Sequence, residues 1–244
     1  MDQDRSRLHP AFILHRRPYS NSSLLLECFT PDRGRFPAIA KGTLSGRTAV
    51  VATSLQPFRP LLLQASGRGE VRTVTTVEPD GRPIALQGEA LYCGFYLNEL
   101  LMRLLGRFDP HPTLFSRYRN ALEQLLPEEG RDQVLRQFEL ELLSELGYGL
   151  LLEQEAVTGL PIQPDTQYYY ILERGPSRDK VNEAPPVSGR TLLVLAGRET
   201  QMGDGGWREA RELMRHVLTS YLGDRPLKSR ELFFSLQGNR QNER

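Results

Sequence analysis

The sequence predicts an α+β protein: a small all-β barrel or sandwich at the N-terminus, then a mainly helical remainder with a short irregular, β-containing stretch. Three observations predict it. Before residue 80, apolar runs are short and Gly and Pro interrupt them at close intervals; from Leu86 the apolar spacing becomes helical; and between 151 and 200 prolines and glycines return. The chain is segmented as 1–80 and 81–244, the second part holding a helical bundle (86–150), the irregular stretch (151–200) and C-terminal helices (204–236).

Five strands are expected in the first part. Ala11–Arg17 precedes the turn formers Pro18-Tyr19-Ser20-Asn21, and Ser23–Phe29 precedes a turn at Asp32 and Gly34. Arg35–Gly42, Phe58–Ser66 and Val71–Glu78 complete the set. Thr43–Gln56 fits a loop with a helical turn. In the second part Leu91, Phe95, Leu97, Leu100, Leu101, Leu104 and Leu105 recur at helical spacing with no proline among them. The next helix is framed by Pro112 at its start, beside His111, and by Pro127 past its end. A third carries Leu135, Phe138, Leu142 and Leu146 on one face, with Gly147 and Gly149 to stop it and Glu139, Glu141 and Glu145 as its surface. Tyr168–Glu173 reads as a strand, and Thr191–Gly197 is too short to classify. The last long helix follows "GDGGW", with Asp204 near its N-cap and Trp207, Ala210, Met214, Val217, Leu218 and Tyr221 as its apolar stripe.

Of 244 residues, 25% are charged and 39% hydrophobic, which suits a globular chain with a sizeable core. No apolar run approaches the roughly 18 residues of a membrane span, and the N-terminus has no apolar core of a secretory signal. Cys28 and Cys93 lie in separate apolar runs and are expected to be reduced and buried, so a cytoplasmic location is expected.

Several chemistries lack their residues. There is no phosphate-binding Gly-x-x-x-x-Gly-Lys-Ser/Thr loop, no Cys-x-x-Cys pair and no Gly-x-Ser-x-Gly elbow, and His9, His15, His111 and His216 are scattered. The expectation is a protein that is not an enzyme and holds neither metal nor cofactor. Charge is distributed unevenly: Arg5 to Arg72 holds eleven Lys and Arg against three acids, a balance of +8, on a chain whose net charge is +1. Pro110 to Leu160 holds four Arg against nine acids. A five-stranded barrel with cations on its strands and loops is a platform for single-stranded nucleic acid. The candidates for phosphate contact are Arg16, Arg17, Arg33, Arg35, Lys41, Arg47, Arg68 and Arg72. Tyr19 and Phe36 are the aromatic candidates for stacking, against a place in the core for Phe36.

The segments "AFILHRRPYSNSSLLLECFTPDRGRFPAIAKG", "LQPFRPLLLQASGRGEVRTV", "ALYCGFYLNELLMRLLG", "LRQFELELLSELGYGL" and "PLKSRELFFSL" occur in the order of the bacterial RecO family of DNA repair proteins, which this chain resembles over almost its whole length. The resemblance implies an N-terminal OB-fold and a mainly helical remainder. It implies a recombination mediator that binds single- and double-stranded DNA and anneals complementary strands coated by single-stranded DNA-binding protein (SSB). It also implies RecR as partner, loading of RecA, a functional link to RecF, no ATP hydrolysis and work at nucleoid DNA. The helical region would contact the acidic, apolar-ended tail of SSB, and Arg136, with Leu135 and Phe138, matches the family's basic position. Many members hold zinc with four cysteines in the segment matching 150–185; none stands there, which suggests the zinc-free branch, held by packing of Tyr168, Tyr169, Tyr170 and Leu172. The loop after Lys41 carries only Arg47 where relatives often have several cations. Two other classes remain open on the residues: a protein-interaction scaffold whose cations merely solubilise the barrel, and a nuclease.

Overall fold

A computed structural model describes residues 7–42, 53–180, 183–223 and 225–229. By packing, the chain forms two compact units, Met1–Glu128 with Pro226–Arg244, and Glu129–Arg225.

The first unit begins with β1 (His9–Ser20), β2 (Ser23–Thr30), β3 (Gly34–Ala40), β4 (Leu61–Ser66) and β5 (Arg72–Pro79), which close in the order β1-β2-β3-β5-β4. All pairs are antiparallel except β3 with β5, and β1 seals the barrel through His9–Ala11 against Leu61–Leu63. This is the five-stranded OB-type barrel. Alternation explains its core: Ala11 and Ile13, Leu24, Leu26 and Cys28, Phe36, Ala38 and Ala40, and Leu61, Leu63 and Ala65 point inward at period two.

Ala11–Leu14 of β1 is apolar without a break because both faces of the strand are covered there. Phe12, together with Phe29 of β2, packs on Phe115 and Tyr118, with ring centroids 5.1–6.2 Å apart. Those two rings come from α2 (Pro112–Gln124), which follows α1 (Gly88–Leu104). Asn98 of α1 donates to the Leu14 carbonyl at 2.8 Å and accepts from the Tyr118 hydroxyl, a fully buried polar link between barrel and helices. Its burial pushes the Tyr118 hydroxyl pKa well up. Burial, with Glu27 adding to it, does the same to the Cys28 thiol.

The second unit contains α3 (Arg131–Glu145), a three-stranded sheet in the order β7-β6-β8, α4 (Gly189–Leu195) and α5 (Gly206–Leu222). The sheet comprises β6 (Gln167–Ile171), β7 (Gly175–Ser177) and β8 (Pro186–Ser188). The α3 helix ends as its glycine requires: Gly147 has φ +83°, its N–H bonds Ser144 and that of Tyr148 bonds Leu143, a Schellman stop. Thr191–Gly197, unclassifiable from its sequence, lies mostly in α4, capped by the Ser188 hydroxyl. The α5 stripe includes Leu213 besides the expected residues, and its N-cap is Gly205, the residue after Asp204.

Two buried tyrosines anchor the cysteine-free stretch between residues 150 and 185. The Tyr168 hydroxyl accepts from the Gln163 N–H at 3.0 Å, and the Tyr170 hydroxyl accepts from the Leu151 N–H at 3.2 Å. Tyr169 and Leu172 are only half-buried. One expectation is corrected in α3. Glu139, read as helix surface, is wholly buried, its carboxylate 2.5 Å from the Arg136 guanidinium. A carboxylate this deep persists because a cation is bonded to it.

Candidate nucleic-acid interface

The basic residues of the barrel sort into two groups once their hydrogen bonds are followed. On β1, the half beyond Leu14 is exposed throughout and, among the described residues, pairs with β2 alone, which also lets Pro18 sit in a strand without breaking a second ladder there. Arg16 and Arg17 stand here, with Tyr19 60% exposed beside them. Arg16 reaches the Leu55 carbonyl at 3.5 Å, the limit of a hydrogen bond. Lys41, just past β3, and Arg68, in the loop between β4 and β5, are likewise exposed.

The second group is turned inward. Arg33 donates to the Ala65 carbonyl at 3.2 Å and to His9 Nε2 at 3.2 Å, while His9 Nδ1 lies 2.7 Å from Asp32. These contacts tie the β2–β3 turn to β1 and β4. Arg35 bonds Glu27 across the β2–β3 pair, and its Nε and Nη2 donate to the Leu105 carbonyl at 3.2 and 2.8 Å. The guanidinium thereby occupies a carbonyl left open at the end of α1. Phe36 is 1% exposed and belongs to the core. Arg72 is intermediate in exposure: its guanidinium lies 5.0 Å from the centroid of the Phe108 ring and bonds the Gly67 carbonyl. Arg47 lies outside the described residues.

One segment of this surface has no counterpart among the candidates read from the sequence. The loop after α1 runs along β3, where Arg107 bridges Arg35 and the Phe108 N–H donates to the Arg35 carbonyl at 2.8 Å. It fills a stretch that β5, paired to β3 only at Ala38 and Ile39, leaves uncovered. Gly34 permits this approach: at φ +65° its missing Cβ would overlap the Asp109 carbonyl. The signal available in the sequence was an aromatic between Arg107 and Pro110, in a loop rather than on a helical stripe.

The residues expected to hold an SSB tail are placed differently. Arg136 is 5% exposed and bonded to Glu139, Phe138 is 1% exposed and Leu135 half-buried, so an incoming carboxylate would have to displace Glu139. The second unit has a cavity of about 390 Å³ around Tyr148, Leu151, Tyr170 and Tyr221; its one charged lining residue is Glu173, the wrong sign for an acidic peptide. Among the described residues no three His, Cys, Asp or Glu cluster to hold a metal ion, and no helix is long and apolar enough to cross a membrane.

Comparison with known proteins agrees with this architecture over both parts of the chain. Residues 6–81 match the family model described as Recombination protein O N terminal, and residues 85–231 match Recombination protein O C terminal. The chain is 49% identical over 240 residues to the DNA repair protein RecO of Alkalilimnicola ehrlichii, covering 97% of this chain and 94% of that one. It is 48% identical over 234 residues to that of Methylococcus capsulatus, covering 96% of each. The RecO of Coxiella burnetii is 47% identical over 232 residues, which cover 94% of this chain and 99% of the relative. A chain whose barrel and helices are both matched over nearly their full length belongs to the RecO family of DNA repair proteins.

Proposed function

We propose that this protein is a non-enzymatic recombination mediator that binds single- and double-stranded DNA through its barrel and anneals complementary strands coated by SSB. With RecR it would help to load RecA on cytoplasmic DNA, RecF acting in the same repair route. The observation that carries the reading is the exposed set Arg16, Arg17, Lys41 and Arg68 on an OB-type barrel within a chain of the RecO family. Cations of this kind neutralise phosphates without reading bases, so binding is sequence-tolerant and falls steeply with salt. Indifference to sequence suits annealing, because base edges stay free to pair.

Arg33 and Arg35 are not assigned to DNA, since their guanidinium groups serve the fold. For the same reason Arg136 is not assigned to the SSB tail. The test is annealing of two complementary oligonucleotides coated with the cognate SSB, with and without this protein. Acceleration that disappears when SSB lacks its C-terminal tail is the expected result. Loss of acceleration on naked strands as well would overturn the reading and leave a protein-interaction scaffold. Scission of labelled DNA in Mg²⁺ or Mn²⁺ would overturn the non-enzymatic part.

A further inference from the structure

We propose that Phe108, with Arg72 over its ring and Arg107 beside it, is a base-stacking platform for single-stranded DNA on the barrel wall. The proposal rests on the DNA-binding reading above and specifies where a base of the bound strand goes.

Phe108 is 38% exposed, a large aromatic in a loop at the surface of the barrel. Its backbone has φ +58°, a region that non-glycine residues seldom occupy and keep only where their surroundings impose it. The Phe108 N–H is bonded to the Arg35 carbonyl, the Leu105 carbonyl is held by the Arg35 guanidinium, and Gly34 backs onto Asp109. The ring is also aligned: it lies 13° from parallel with the buried Phe36 ring, centroids 6.0 Å apart. A rigid, partly exposed aromatic is thus presented on a fixed base of core.

The charge around it has the sign of a phosphate receptor. The Arg72 guanidinium is seated 5.0 Å from the ring centroid and tethered to the Gly67 carbonyl. Arg107 is 49% exposed, and the acid near it, Glu27, stands 3.9 Å away and is already bonded to Arg35. Arg68 is exposed in the neighbouring β4–β5 loop, one of the loops that OB-type barrels use for oligonucleotides. A nucleobase is the ligand that fits this set: its flat face stacks on the Arg72 guanidinium plane that lies over the Phe108 ring, and its phosphates fall to Arg107 and Arg68. Paired bases inside a duplex do not offer that face, so the platform favours single strands.

The full chain is titrated into labelled oligodeoxythymidine over a range of salt, and into an oligonucleotide carrying 2-aminopurine, whose fluorescence stacking quenches. Phe108→Leu keeps apolar bulk over Phe36 without a π face; Phe108→Trp keeps the face. With one stacked base lost, Phe108→Leu is expected to bind single strands about tenfold more weakly and to lose the quenching. Its salt slope stays that of the parent, because no phosphate contact is removed. Phe108→Trp retains affinity and quenching, and thermal melting confirms that both variants are folded. If folded Phe108→Leu binds and quenches like the parent, or folded Phe108→Trp fails to, the platform is overturned while DNA binding stands. If the parent binds no single strand at any salt, the DNA-binding reading fails and the platform with it.

Discussion

On the outer half of β1, Arg16 and Arg17 are exposed on a stretch that pairs, among the described residues, with β2 alone, whereas at the β2–β3 turn Arg33 and Arg35 are half-buried and bonded into the fold. Both pairs lie on the first three strands of one barrel and within one basic segment of the chain. The difference comes from what surrounds each guanidinium. At the turn, backbone carbonyls of other elements come within reach of the guanidinium groups, and arginine's five donors can satisfy two groups at once. Along outer β1 the side chains are exposed, Arg16 reaching the Leu55 carbonyl at 3.5 Å, and their charge faces solvent. Charge density locates a functional region; hydrogen-bond demand decides which of its members are available.

Breaking the inward group should damage stability, and breaking the outward group should damage binding alone. Arg35→Glu is expected to have the largest effect, about 3–4 kcal/mol, because it sets two carboxylates side by side at Glu27 and strips the Leu105 carbonyl of its donors. Urea midpoints would show it, and an unchanged midpoint would mean that Arg35 is surface charge after all. Gly34→Ala follows at about 3 kcal/mol, since the new methyl meets the Asp109 carbonyl and the backbone φ disfavours it.

Tyr170→Phe tests the other hydroxyl-anchored region and should cost about 1 kcal/mol by leaving the Leu151 N–H without its acceptor. It also carries a pH signature. Burial pushes the Tyr170 hydroxyl up to about 12 from 10.0. The folded pKa is the raised one, so its contribution is complete below about pH 10 and is lost as pH rises from about 10 to 12. The variant should therefore lose stability less steeply over that window, as followed by urea unfolding at fixed pH; identical slopes would refute the assignment. The smallest effect on stability, within about 0.5 kcal/mol, is expected of Arg17→Gln with Lys41→Gln. Their effect appears in DNA binding, where the salt slope on single strands should fall by up to about 1.4, two phosphate contacts' worth. A fall in melting temperature with an unchanged slope would reverse the comparison drawn for the two groups.

Much of the fold was legible because its signals are local. Short apolar runs between Gly and Pro marked the barrel strands, helical spacing gave α1 and α5, Pro112 and Pro127 framed α2, and Gly147 marked where α3 stops. Glu139 was not legible, since an acid at a helical surface position looks the same whether or not an arginine three residues earlier is buried with it. Phe108 was missed for a related reason: a loop aromatic gives no periodic signal, and its alignment with Phe36 depends on a contact 72 positions away in sequence.

The sequence by itself determined the order of the barrel strands and the long helices, the basic first third and membership of the RecO family, because periodicity, composition and motif order reside in neighbouring residues. Only the tertiary structure decided which arginines remain for a ligand. That choice depends on where carbonyls of distant segments come within reach of a guanidinium, as those of Leu105 and Ala65 do, and chain proximity holds no record of it.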